Sequence, residues 1–169
     1  MQTPNRKTGM SIIEILMYVA ILSIIGVVLS NYFIAALGAQ TEHDRRNDLA
    51  NGAQDIINTM RGDLVDATQV VTPLSSGTST VLTLVGSLGG VLIEQNGDAL
   101  VRISGSSTRS ITSTNVVVEN VSFTRREYFE QRLNATTTSI GYHVLLSHKA
   151  APAMLRTIDG ALFVGKDGL

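Results

Sequence analysis

Hydrophobic and polar positions fall into three regimes along the chain. From Ile15 to Thr41, 27 consecutive residues carry no charge and are mostly Ile, Leu, Val, Ala and Met. As an α-helix this stretch extends roughly 40 Å, long enough to cross a bilayer. After the mixed cluster Glu42, His43, Asp44, Arg45, Arg46, the apolar residues Leu49, Ala53, Ile56, Met60, Leu64, Ala67 and Val71 recur three and four apart, with Ile57 widening the stripe. That spacing predicts one face of an amphipathic helix continuing to about Thr68 or Val71, ended by Pro73 and the Ser/Gly/Thr stretch behind it. The stripe is also heptad-like, but it spans only about three heptads and Gly52 and Gly62 weaken an isolated helix. Packing on the rest of the chain is therefore favoured over a coiled-coil seam.

From Thr80 onward the pattern changes to short β-rich runs separated by Gly, Ser, Thr and Asn. Val91–Gln95 and Ala99–Ser104 flank Asn96-Gly97, a hairpin signal because both residues accept positive φ. Val116–Thr124, Thr80–Val85 and Ile140–Ser147 are further predicted strands, the last with Ile140, Tyr142, Val144 and Leu146 on one face. The expected class is α+β: a long helix over residues 10–71, its part at about 12–39 membrane-spanning, packed through its second half on an antiparallel β-sheet domain at 72–169.

Composition narrows this further. With 169 residues the chain has room for one domain, or one domain with an appendage. Its formal charge is -1, so no global basic field exists to hold nucleic acid. There is no cysteine, which excludes disulfides, thiolate chemistry and Cys-based metal sites. Arg6 and Lys7 precede the apolar run, and the short basic side of such a run stays cytoplasmic.

Three readings compete for the N-terminal segment. A secretory signal peptide cut near Ala36-Leu37-Gly38 has a shorter apolar region, about 7–15 residues, and no acid such as Glu14 at its start. An uncleaved anchor explains length and orientation but gives Glu14 no purpose. The third reading rests on Lys7-Thr8-Gly9-Met10-Ser11-Ile12-Ile13-Glu14, followed by Ile15-Leu16-Met17-Tyr18-Val19-Ala20-Ile21-Leu22. This junction resembles the signal of type IV prepilins and type II secretion pseudopilins, combining a basic leader, a glycine, a following Ser, an acid at fixed offset and an apolar run of spanning length. Met10 stands where many members have phenylalanine, and Asn31 where many carry a helix-kinking proline.

The resemblance implies that residues 1–9 are a leader, that a membrane peptidase cuts between Gly9 and Met10, and that the new N-terminal Met10 is N-methylated. Loss of Arg6 and Lys7 takes the side-chain charge from -1 to -1 - 2 = -3. It further implies that Glu14 pairs with the Met10 amine of a neighbouring subunit during filament assembly. A charged group costs roughly 2.5–3.5 kcal/mol at mid-bilayer, less near its surface. The helix dipole and the chain's own amine return about 0.3–1 kcal/mol. An intersubunit pair at 4 Å and an effective dielectric near 20 attracts by about 4 kcal/mol before desolvation. Expected partners are the prepilin peptidase/N-methyltransferase, other pilin or pseudopilin subunits, the inner-membrane assembly platform and membrane lipid. The expected location is the bacterial inner membrane, single-pass, N-terminus cytoplasmic and C-terminal domain outside, then an extracytoplasmic filament.

Leu100-Val101-Arg102, Ile111-Thr112-Ser113 and the Val116–Arg126 run ending Val121-Ser122-Phe123-Thr124-Arg125 also look like minor pseudopilins of the J type. That resemblance implies a role in filament initiation or near the tip. Retention of Glu14 argues against the outermost tip subunit, which tends to lack the acid. A membrane-anchored binding module that never polymerises is the competing class. Gly26, Gly38, Ser23, Ser30 and Asn31 interrupt the apolar helix, as close-packing positions or as tolerated small residues.

Enzyme-like patterns fail on inspection, and neither catalysis nor a cofactor is expected. Gly160-Ala-Leu-Phe-Val-Gly165-Lys166 fits a phosphate-binding loop as far as its lysine, but Asp167 replaces the Ser/Thr that would hold magnesium. His43, His143 and His148 show no metal spacing, and Asp159-Gly160 and Asp167-Gly168 read as turns rather than calcium loops. Arg125-Arg126-Glu127-Tyr128-Phe129-Glu130-Gln131-Arg132 mixes bases with aromatics as single-strand binders do, yet Glu127 and Glu130 dilute it to a solvated strand end or partner contact.

Overall fold

The computed structural model of the chain describes residues 11–87, 89–131 and 135–164. Among these residues one helix, α1 (Ile12–Asp66), is followed by nine strands: β1 (Ala67–Thr72), β2 (Thr78–Ser79), β3 (Val81–Gly86), β4 (Gly89–Asn96), β5 (Ala99–Ser104), β6 (Ser107–Ser110), β7 (Val116–Glu130), β8 (Ala135–His148) and β9 (Ala151–Phe163). The class is α+β. The chain divides into two units, residues 1–43 and residues 44–169.

In the second unit the strands form two antiparallel sheets, ordered β1-β3-β4-β5-β6 and β2-β7-β8-β9. Leu49, Ala53, Ile56, Met60 and Leu64 of α1 are buried in one cluster with Leu82, Leu84, Ile93 and Leu100 of the first sheet and Val118, Phe123, Ile140, Val144 and Leu146 of the second. The i, i+3/i+4 stripe thus supplies the helical face of the core, as its periodicity predicts. Ile140, Tyr142, Val144 and Leu146 all point inward from β8, on the face expected of them. Gly52 has a packing reason: a Cβ there would lie 3.1 Å from Val116 Cγ2, so the helix backbone comes close to the start of β7. Arg102 of β5 fastens the helix further, its Nε and Nη2 donating to both carboxylate oxygens of Asp63 at 2.8–3.0 Å. That hydrogen bond raises the already high Arg102 pKa.

The helix ends at Asp66, not at Thr68 or Val71, and the expected 10–71 segment gives its last residues to β1. The cause is visible in the pairing with β3. Gln69 faces Val85 after Ala67 faces Gly86, and Thr72 faces Thr83 after Val70 faces Leu84, so two residues slip out of register. A strand with such bulges buries Ala67 and Val70, three apart, and so mimics a helical stripe. Thr68, Val70, Val71 and Thr72 are β-branched, which favours the extended form. Gly86 makes the junction possible, because a Cβ there would stand 2.7 Å from the Asp66 carbonyl oxygen.

The β4–β5 hairpin forms, with a loop displaced by one residue from the expected Asn96-Gly97. Asn96 pairs with Ala99, leaving Gly97-Asp98 as the loop with Gly97 at φ 58°. Positive φ at the first loop residue alone is the type II′ pattern, which needs glycine there. The β5–β6 hairpin repeats the device with Gly105 at φ 58° between the paired Ser104 and Ser107. The larger departure is β9. Asp159-Gly160, expected as a turn, lies inside this 13-residue strand, with Asp159 opposite His143 and Gly160 opposite Tyr142. The Tyr142 phenol lies over Gly160, occupying the space a side chain would take.

Candidate functional site

Within the first unit, every described residue is exposed. The helix it contributes is long and apolar enough to span a membrane, and none of its apolar window is buried by protein. Its start is marked by Ser11-Ile12-Ile13-Glu14, which has the spacing of a capping box. The Glu14 and Ile15 amides fold back onto the Ser11 carbonyl at 3.0 and 3.2 Å, and Glu14 is the acid of the first turn. An acid at that position favours the helix through its dipole, independently of any partner. Gly9 and Met10, the residues of the expected cleavage and methylation, lie outside the described residues.

The polar residues of this helix are largely satisfied within it. Ser23 Oγ donates to the Val19 carbonyl, Ser30 Oγ to the Gly26 carbonyl and Thr41 Oγ1 to the Gly38 carbonyl, all at 2.8–2.9 Å. Hydroxyls bonded back to their own helix do not present unmet donors to lipid. Gly26 and Gly38 have open space where a Cβ would go.

In the second unit the residues singled out by type do not converge. His143 Nδ1 pairs with Asp159 Oδ1 at 2.5 Å on the exposed face of the second sheet. His148 is buried, with Nδ1 accepting the Ala150 amide at 3.2 Å and Nε2 lying 3.4 Å from Asp48. Asn115 Nδ2 donates to the same Asp48 oxygen at 3.0 Å, so these groups tie α1 to the ends of β7 and β8. Among the described residues no three His, Asp or Glu side chains gather as a metal site. The Arg125–Phe129 stretch divides its labour. Arg125 Nη1 donates to the Val70 carbonyl at 2.9 Å and Nη2 meets Glu127. Ser75 Oγ donates to Glu127 at 2.6 Å, and this bond, with the charge of Arg125, holds the Glu127 carboxyl below its usual range. These two residues clamp the 73–77 connection to β7. Tyr128 and Phe129 remain exposed, Tyr128 together with Phe163 lining a cleft of about 370 Å³ floored by Thr137, Ser139 and Ala161. Compared with protein-family models, with curated proteins and with solved structures, the chain matches none of them.

Proposed function

We propose that the chain is a minor pilin or pseudopilin, a non-catalytic structural subunit of a type IV pilus or type II secretion pseudopilus. The observation that carries this reading is the apolar helix from Ile12 to Thr41, wholly uncovered, with one acid in its first turn and its continuation built into the core of a folded β unit. An apolar surface of this extent needs lipid or other apolar helices to cover it. A filament subunit uses both, first waiting in the inner membrane and then joining a helical bundle. The Gly9–Met10 junction supplies the leader cleavage and the methylated amine, and Glu14 the carboxylate that selects its registry against a neighbour. The peptidase/methyltransferase, sister subunits and the assembly platform are the partners this life cycle requires, with a place at initiation or near the tip.

Mass analysis of the membrane-extracted chain tests the reading, with a mature protein starting at N-methylated Met10 as the expected result. An intact Met1 marks an anchored module that does not polymerise, and a start near Ala39 marks a secreted domain. In the same background Glu14→Ala is expected to be processed normally and recovered from sheared filaments at a small fraction of the wild-type amount. Normal recovery of that variant removes the assigned role of Glu14.

A further inference from the structure

The second sheet ends in β9, and the direction of its backbone groups can be worked out. Val164 N–H donates to the Thr138 carbonyl at 3.0 Å, which makes Thr138 and Val164 a hydrogen-bonded pair. Hydrogen-bonded and non-bonded pairs alternate along an antiparallel ladder. The even-numbered residues of β9 therefore bond to β8, through the pairs Ile140–Leu162, Tyr142–Gly160, Val144–Ile158 and Leu146–Arg156. The amide and carbonyl groups of Leu155, Thr157, Asp159, Ala161 and Phe163 point the other way. Among the described residues no backbone group bonds to them.

Exposed edges are ordinarily blunted by shortness, bulges, Pro, or charged side chains, Lys above all. The other edges here are: β6 has four residues, all exposed and polar, β2 has two, and β1 carries two register breaks. β9 differs. From Leu155 opposite Ser147 to Phe163 opposite Ser139 it runs in unbroken register without Pro, Lys or bulge, its charges limited to Arg156 and Asp159, and Pro152 lies before that stretch. Ile158 at its middle is buried, but the inward side chains towards its two ends stop short of full burial. Met154 and Leu162 pack on the core but remain partly exposed at the sheet's rim, and on the outer face Leu155 and Phe163 are each 57% exposed. One more strand, with apolar residues on its inward side, would finish that burial and satisfy the open ladder.

The charge on the edge selects the kind of strand. Asp159 is the midpoint of the 155–163 stretch; its Oδ1 meets His143 on the neighbouring strand, yet its side chain is still 66% exposed. If two copies of β9 paired antiparallel over this full length, Asp159 would face Asp159, a like-charge contact that disfavours the pair. A strand of another chain with a cation at that point has the opposite sign of interaction. We propose that β9 takes up an extended segment of a different polypeptide as a tenth strand, one with alternating apolar residues on its inward face and a Lys or Arg opposite Asp159. The inference stands on the β9 edge alone and holds whether or not the chain enters a filament.

The test uses the full chain in detergent micelles and a fluorescein-labelled peptide, Thr-Val-Thr-Val-Lys-Val-Thr-Val-Thr, which reads the same in both directions, with a Glu-centred version as its control. Fluorescence anisotropy is expected to show saturable binding of the Lys peptide, about tenfold tighter than the Glu peptide. Thr157→Pro removes one outward amide and leaves the β8–β9 ladder whole, since proline is tolerated at edge positions facing solvent. It is expected to melt as the wild type does and to bind the Lys peptide about tenfold more weakly. Asp159→Lys is expected to reverse the order of the two peptides. The proposal is overturned by absence of saturable binding, by a Thr157→Pro protein that binds undiminished, or by an unchanged peptide order in Asp159→Lys. A wild-type dimer in sedimentation that Thr157→Pro dissolves also overturns it, because the occupant is then a second copy.

Discussion

Glu127 illustrates how single residues on this surface act on the fold. Its carboxylate accepts the Ser75 hydroxyl and pairs with Arg125, whose other nitrogen holds the Val70 carbonyl, so three segments distant in sequence meet at two side chains. The Ser75 bond is the larger cause and Arg125 the smaller of a folded-state pKa lying below the ordinary value of 4.5. A group whose folded pKa is depressed contributes stability above its unfolded pKa and loses it as the pH falls through the folded one. Glu127→Gln is accordingly expected to melt slightly below wild type at pH 7. Thermal melts from pH 7 to pH 2.5 should show the gap closing as the pH falls below the ordinary value of 4.5. A gap that stays constant to pH 2.5 assigns the loss to packing instead of charge.

At the scale of elements, β1 makes the clearest distinction between what local pattern carries and what it does not. The apolar block and the stripe from Leu49 to Leu64 were legible because a regular helix repeats its burial every three or four residues. Ala67 and Val71 continued that arithmetic, yet the bulged strand buries Val70 at 3% exposure and leaves Val71 at 42%. Val70→Ala is therefore expected to cost about 1.5–3 kcal/mol in chemical denaturation, and Val71→Ala less than about 0.5 kcal/mol. Equal costs, or the reverse order, would return these residues to the helix. β9 is concealed from local pattern for a related reason. Two of its inward positions are Arg156 and Gly160, which break the apolar alternation, and Gly160 is admissible only because Tyr142 from the neighbouring strand fills its place. The open side of β9 follows from strand order, which no short stretch encodes.

For the whole molecule, the division at His43 separates two ways of meeting water. Among the described residues the buried apolar ones all lie from Leu49 onward, within the second unit. A chain beginning at Asp44 is expected to remain soluble without detergent and to melt within about 3 °C of the full chain in micelles, while the full chain aggregates when detergent is withdrawn. Calorimetry and sedimentation on the two forms check this. A shortened chain that is unfolded at 25 °C would show that the first unit is needed for the second to fold.

The passage from Asp66 to Ala67 has a mechanical meaning. Helix gives way to strand with no intervening spacer, and β1 is bonded at once to β3. A pull on the helix from Asp44 onward is taken first by its own buried face, Leu49 to Leu64, and by the Asp63–Arg102 pair, and only behind these does it reach the β1–β3 seam.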